Sequence, residues 1–117
     1  MAIGRLRRRS EFLRVAAAKR KWVARHVIVQ HAPAPEHMIR YGLTASKKVG
    51  NAPTRNRARR RLRAAARLMF PGRGVPADIV LIARQSIATA SWGEILDDIR
   101  HALEKLERGI AMNNGQA

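Results

Sequence analysis

The sequence predicts an α+β protein, an α/β sandwich in which helices cover a small sheet. Three observations predict it. Val- and Ile-rich segments of strand length alternate with segments of helical period. One of the former, "DIVLIAR" at Asp78–Arg84, is almost wholly apolar, as a central strand would be. Between Pro53 and Phe70, Ala58, Leu62, Ala65, Ala66 and Met69 fall on one helical stripe.

The elements follow in order. Ser10 can cap a first helix through its hydroxyl, and "EFLRVAAAKR" continues it with Phe12, Val15 and Ala16 at helical spacing. "WVARHVIVQH", Trp22 to His31, reads as one strand. Pro33 and Pro35 make "APAPEH" a connection, since proline cannot donate to a ladder. "MIRYGLTAS" reads as a second strand, or two short ones, broken or bulged at Gly42. Lys47 and Lys48 stand at its end. Gly50 and Asn51 then turn the chain, Asn51 caps the next helix, and Pro53 fits its first turn, where no N–H is needed. "PGRGVPA" stops that helix. Ser91 and Glu94 have capping-box spacing, ahead of a last helix with Ile95, Ile99, Ala102, Leu103 and Leu106 as its stripe. The predicted order is α-β-β(-β)-α-β-α. Residues 1–117 read as one domain, with a core over about 5–107 and a frayed tail over 109–117.

The charge points to a polyanion. The 117 residues carry a formal net charge of +16, yet 46% are hydrophobic, which excludes a disordered polycation. Cysteine is absent, so disulfides and thiolate metal sites are excluded. No segment reaches the ~18 apolar residues of a membrane span, and the Arg-rich start has no apolar run of a secretory signal. No Asp or Glu lies between Glu36 and Asp78, whereas Glu94–Arg108 holds five acidic residues against three basic ones. The positive charge is therefore segregated, as on a binding face. Nucleic acid is the leading partner class, with an anionic membrane surface second.

Its centre is "SKKVGNAPTRNRARRRLRAAAR", Ser46–Arg67, with nine Lys or Arg residues and no carboxylate. On the helical wheel Asn56, Arg60, Arg63 and Arg67 fall opposite the core stripe. Arg59 lies between that row and the stripe, Arg57 and Arg61 lie on the other flank, and Arg55 lies nearer the stripe. A solvated face normally mixes signs at i,i+4, and this one has only repulsion. Arginine's planar fork can grip phosphate through two bonds and stack on bases. The helix N-terminus beside Lys47, Lys48 and Asn51 adds free N–H donors. Charge does not distinguish DNA from RNA.

The stretch Ser46, Lys47, Lys48, Val49, Gly50, Asn51, Ala52, followed by Arg55, Asn56, Arg57, then Arg59, Arg60 and Arg63, strongly resembles the RNR motif of the bacterial ribonuclease P protein subunit. "LRRRSEFLRV" is similar to that family's opening helix and "ADIVLIAR" to its late strand, so the resemblance spans roughly residues 5–107. It implies an α/β sandwich with a left-handed crossover around the Arg-rich helix, against the usual right-handed rule. It implies a cytoplasmic protein, monomeric and 1:1 with a catalytic RNA, in a holoenzyme that removes the 5′ leader of precursor tRNA. The chemistry is then expected on the RNA, with Mg²⁺ held mainly by RNA, and this chain supplies neither catalytic nor metal-binding residues. Carried over by position, Lys47, Lys48, Asn51, Arg55, Asn56, Arg57, Arg59, Arg60, Arg63 and Arg67 meet RNA. Phe12, Arg25 and Lys47 meet the single-stranded leader, in a cleft between the first helix and the sheet.

Three positions depart from the family pattern, one of them Pro53 in place of the usual Val, which a helix's first turn tolerates. Ala16 and Gln30 stand where the family often has aromatic residues. Stacking on an aromatic ring contributes about 1–3 kcal/mol per base, so phosphate contacts are expected to carry more of the leader binding here.

Other readings have less support. A DNA-binding protein with the Arg helix in a major groove would usually show helix-turn-helix spacing, but here strands flank the helix. A protein-only metal nuclease needs converging carboxylates, and the basic region has none. His26, His31, His37 and His101 lack zinc spacing, and His26 reads as a surface residue on a strand. Glu94, Asp97, Asp98 and Glu104 read as solvated helix charges, and Trp22 and Trp92 as anchors at element starts.

Overall fold

The computed structural model describes residues 3–35, 37–73 and 76–115. Its elements are β1 (Ile3–Arg5), α1 (Arg9–Ala17), β2 (Lys21–Val23), β3 (Val27–Ala32), β4 (Ile39–Thr44), α2 (Ala52–Met69), β5 (Ala77–Ala83) and α3 (Trp92–Gly115). Short 3-10 turns occupy Lys47–Val49 and Gln85–Thr89. The five strands form one mixed sheet in the order β1-β4-β5-β3-β2. β4 and β5 are adjacent and parallel, so α2 is the crossover between them. β5 is central, as its apolar run predicts, and it pairs antiparallel with β3.

The period of two along the strands separates two packed layers. Val27 and Val29 of β3, Ile39 and Tyr41 of β4, and Ile79 and Leu81 of β5 meet Ala58, Leu62 and Ala65 of α2 and Ile95, Ile99 and Leu103 of α3. Phe70, just past α2, packs edge-on to Tyr41 with ring centroids 6.1 Å apart. Each fully buried Ile or Leu here contributes about 1.5–3 kcal/mol relative to exposure. On the opposite face Val15 of α1 joins Leu6, Ala32 and Val80 in a smaller cluster, with Phe12 and Ile82 at its margin. Two helices thus cover one face, and the short α1 covers part of the other.

The caps behave as predicted at two helices. Asn51 Oδ1 accepts from the Thr54 N–H at 3.0 Å. The Glu94 N–H donates to Ser91 Oγ at 3.1 Å, and the Ser91 N–H donates to Glu94 Oε1 at 2.9 Å.

Several expectations need correction. Ser10 lies inside α1, whose N-cap is Arg8. The carboxylate of Glu11 takes the backbone N–H groups of Arg7 and Arg8 instead, at 2.9 and 2.8 Å. The single strand Trp22–His31 is an antiparallel hairpin, β2 with β3, because the chain turns at Arg25 and His26. β4 runs unbroken through Gly42. Lys47 and Lys48 lie in a 3-10 turn beyond β4, where Ser46 Oγ accepts from the Lys48 N–H. β1 is an unpredicted strand, parallel to β4, that draws the Arg-rich start into the sheet. α3 continues to Gly115, past the tail start expected at 109, and the last two tail residues lie outside the described residues. Among the described residues no helix is long and apolar enough to cross a membrane.

Candidate nucleic-acid interface

Asn51 and Gly50 set the start of α2. Gly50 has φ +150°, and a Cβ there would lie 3.0 Å from Thr54 Cγ2. The backbone conformation and the close threonine both favour glycine. The Asn51 side chain caps Thr54 twice, through its N–H and through its hydroxyl at 2.8 Å. Lys47 and Lys48 stand exposed just before this turn.

The α2 cations then divide by role. Arg57, Arg60 and Arg67 are exposed together with Asn56, and none of these arginines has a carboxylate partner among the described residues. Arg55 and Arg63 are half-buried, and their Nε atoms are shielded without a hydrogen-bond partner. Arg63, expected in the outer row, therefore lies partly against the protein. Arg59 donates to Asn56 Oδ1 at 3.0 Å and to the Ala45 carbonyl at 3.2 Å, tying the helix to the chain after β4. Arg61 donates to the carbonyls of Ile87 and Ala90 at 3.1 and 2.6 Å. Burial, with the charge of Arg57 beside it, pushes the Arg61 guanidinium below its ordinary value. Arg61 is a clamp between α2 and the turn after β5.

The face carrying α1 holds a second feature. Asp78 is completely buried. Arg40 grips it with two bonds, Nε to Oδ1 at 2.8 Å and Nη2 to Oδ2 at 2.6 Å, and Arg14 of α1 joins it from above. Arg40 also donates to Glu11 at 2.9 Å, and Arg14 to the Pro33 carbonyl at 3.1 Å. The backbone N–H groups of Arg8 and Arg7, and then Arg40, hold the Glu11 carboxyl below its ordinary value. This network fixes α1 on one end of the sheet. It also places the Phe12 ring over Gly42, where a Cβ would meet ring carbons at 2.5 Å. Gly42 is thus required by close approach rather than by a bulge.

The rest of that face is an open floor. By register, Val23, Ile28, Ile82 and Thr44 form one row across four strands, and Lys21, Gln30, Val80 and Gly42 form the next. Val23 is exposed, while Ile28, Gln30, Thr44 and Ile82 are half-buried. Ala16 is exposed on α1, so two of the departures leave Phe12 without a neighbouring ring at Ala16 or Gln30. At one end of the floor β4 leads to Lys47 and Lys48, β5 leads to Arg84, and Arg25 precedes β3. An open depression of about 520 Å³ there is lined by Arg25, Arg84, Gln85 and Ser86.

The turn bearing Arg25 is pinned from below. The His26 N–H donates to Asp98 Oδ2 at 2.8 Å, Nδ1 lies 2.8 Å from Ser86 Oγ, and Ser86 Oγ donates to the Arg25 carbonyl at 2.9 Å. His26 Nε2 faces Glu94 at 3.4 Å. The backbone N–H of Ser91, then His26, holds the Glu94 carboxyl below its ordinary value. His26 is therefore a buried tether in a turn, contrary to its reading as a surface residue on a strand. Asp98 is its hydrogen-bond partner, and Glu94 faces it while its side chain stays 44% exposed to solvent. Trp22 and Trp92 stand at the starts of β2 and α3, as expected, and each is more than a third exposed.

The structure thus brings Lys47, Lys48 and Asn51 together at one helix start, and sets Phe12, Arg25 and Lys47 around one floor. Sequence reasoning missed Arg84, which follows a central strand with no motif around it. It also missed the tethering of Arg59 and Arg61. A Mg²⁺ site needs several converging oxygen ligands. Among the described residues no group of three or more His, Asp or Glu is placed to hold a metal ion, and Asp78 is enclosed by arginines.

The chain is similar to known proteins. The profile of the family described as Ribonuclease P matches residues 3–107. A ribonuclease P protein component from Ruegeria pomeroyi is 50% identical over 105 residues, covering 86% of this chain and 84% of that protein. One from Paramagnetospirillum magneticum is 43% identical over 110 residues, covering 89% and 83%. The solved RNase P protein of Staphylococcus aureus superposes with a TM-score of 0.76 at 26% identity, covering 87% of this chain and 94% of that one. The RNase P protein of Thermotoga maritima shares the fold, with a TM-score of 0.73 at 22% identity over 83% of this chain and 92% of that one. The RNR-bearing helix, its capped entry and the open floor beneath α1 thus lie on a shared fold, and the chain belongs to the ribonuclease P protein family, whose work is tRNA processing.

Proposed function

We propose that this chain acts in the cytoplasm as one RNA-binding domain, 1:1 with a catalytic RNA, and assists removal of the 5′ leader from precursor tRNA. The exposed face of α2, with Arg57, Arg60 and Arg67 beside Lys47 and Lys48, meets the RNA subunit. Its guanidinium groups would neutralise phosphates and release counterions. The floor beside Phe12 takes the single-stranded leader, with phosphates near Arg25 and Lys47. The Asp78 network keeps α1, and so Phe12, in place. Mg²⁺ is held mainly by RNA, and hydrolysis takes place there.

The observation that carries this reading is the separation of the cations by role. Arg59, Arg61, Arg14 and Arg40 are bound within the protein, while Arg57, Arg60 and Arg67 are exposed to solvent with no carboxylate partner among the described residues. The test is a reconstitution with purified protein, a bacterial ribonuclease P RNA and precursor tRNA at low Mg²⁺. Leader release should require the RNA and be stimulated by the protein. Absence of stimulation at every Mg²⁺ level, or cleavage by the protein alone, would overturn the reading.

A further inference from the structure

A second basic concavity lies on the other side of the β2 edge, away from the α2 row. It is a notch of about 320 Å³ between β2 and α3, within the size range of small-ligand sites. Trp22, Lys19, Arg20, His31 and Lys105 supply its functional groups, Lys21 stands at its margin, and no carboxylate is among these lining residues. The fold places it apart from the α2 surface. Trp22 pairs with Val29 at the sheet margin, on the face covered by α3, whereas α2 lies over the β4–β5 side.

Its chemistry is that of a nucleotide site. Trp22 is 37% exposed, and Lys105 Nζ stands 5.6 Å from its ring centroid. The ammonium lies over one face of the indole, which leaves the exposed part of the ring for stacking and the ammonium as a partner for an anion or a base carbonyl. Lys19, Arg20 and Lys21 are consecutive and exposed. Lys19 holds φ +56°, an uncommon conformation for a residue with a side chain. His31, half-buried in the notch, is pushed below the ordinary histidine value by burial and by Arg20. Its imidazole is thus favoured in the neutral form, which can both donate to and accept from a base edge.

We propose that this notch is a second RNA site, which takes one unpaired nucleotide with its base on Trp22 and its phosphate on Lys19 and Arg20. Lys21 also stands in the floor row with Gln30, Val80 and Gly42. A strand crossing the floor can therefore pass over the β2 edge into the notch. The inference rests on the RNA-binding reading above, and extends it to a surface beyond the motif helix and the Phe12 cleft.

The test uses Trp92→Phe protein, in which Trp22 is the remaining tryptophan. Tryptophan emission and RNA binding are followed together, with end-labelled single-stranded RNA and with inorganic polyphosphate as the comparison anion. RNA should quench Trp22 and polyphosphate should not. Trp22→Leu should weaken single-stranded RNA binding by roughly tenfold, within the range for one stacked base, and Trp22→Phe should restore most of it. Melting curves of each variant confirm folding. RNA binding that leaves Trp22 emission unchanged would overturn the site. So would equal quenching by polyphosphate, which would reduce it to a phosphate patch. The reconstitution reads the other proposal separately: RNA quenching of Trp22 without stimulated leader release would sustain the notch and sink the holoenzyme reading.

Discussion

Phe12 and Gly42 are in a contact that tolerates no side chain at position 42. A Cβ there would lie 2.5 Å from two carbons of the Phe12 ring. Gly42→Ala is therefore expected to displace Phe12 or shift α1. The cost should be about 1–3 kcal/mol, as for overpacking of a filled site. Urea unfolding measures it, and leader affinity should fall alongside. An unchanged urea midpoint would show that the ring moves aside freely.

The aromatic contribution of Phe12 itself should be modest. Of positions 12, 16 and 30, only Phe12 carries an aromatic ring. Phe12→Ala should lower precursor tRNA affinity by less than about a hundredfold, the range of one stacked base. A larger loss, measured by equilibrium binding with the RNA subunit present, would contradict that.

Asp78 is the pivot of the α1 network. Asp78→Ala leaves Arg40 without its two-bond partner in a buried setting. Breaking a buried pair from one side costs about 3–5 kcal/mol. Denaturant unfolding should show this loss, with faster amide exchange in α1 than in α2. A loss below about 1 kcal/mol would mean that water or Glu11 compensates.

The α2 arginines should separate into two classes. Arg57→Gln, Arg60→Gln and Arg67→Gln should each leave stability within about 0.5 kcal/mol. Each should lower RNA affinity and reduce the salt slope by about 0.7–0.9 for every phosphate no longer neutralised. Arg61→Gln should instead cost about 1.5–3 kcal/mol, because two carbonyls lose a charged donor. Identical behaviour of Arg60 and Arg61 in both assays would remove the distinction.

Stability should fall with acid in two stages. His31 titrates below its ordinary 6.5 in the fold, so the unfolded chain takes the proton first. Its contribution is present above about pH 6.5 and is lost as pH falls through the lower folded value. Glu11 and Glu94 titrate below their ordinary 4.5, so their contributions are present above about pH 4.5 and fade beneath it. His31→Gln should flatten the upper stage, and Glu11→Gln should diminish the lower one. Denaturation midpoints between pH 3 and 7.5 (a range of roughly the ordinary His and Glu values and a unit beyond) check both.

Much of the architecture could be read locally. The α2 stripe, the Asn51 cap, the Ser91–Glu94 box and the apolar run of β5 depend on neighbours a few positions away. Side-chain period and capping chemistry therefore reveal them without a fold. The RNR stretch was legible for the same reason: its residues are contiguous, and a run of like charge without carboxylates has few uses.

Tertiary structure decided what depends on distant partners. Trp22–His31 has the composition of one strand, but His26 bonds to Asp98, 72 residues on, and holds a turn there. β1 has three residues and no period to detect, and becomes a strand only beside β4. Gly42 looks like a bulge until Phe12, from another element, lies on it. Asp78 looks like the polar start of an apolar run until Arg14 and Arg40 enclose it. Arg59, Arg60 and Arg61 are adjacent and differ in sequence only by their place on the helical wheel, and the carbonyls of Ala45, Ile87 and Ala90 are what make Arg59 and Arg61 clamps. The sequence by itself determined the helix periods, the caps and the place of the charge. Which cations stay available for RNA was settled by the packing, because a guanidinium's role depends on the acceptors that folding brings within reach.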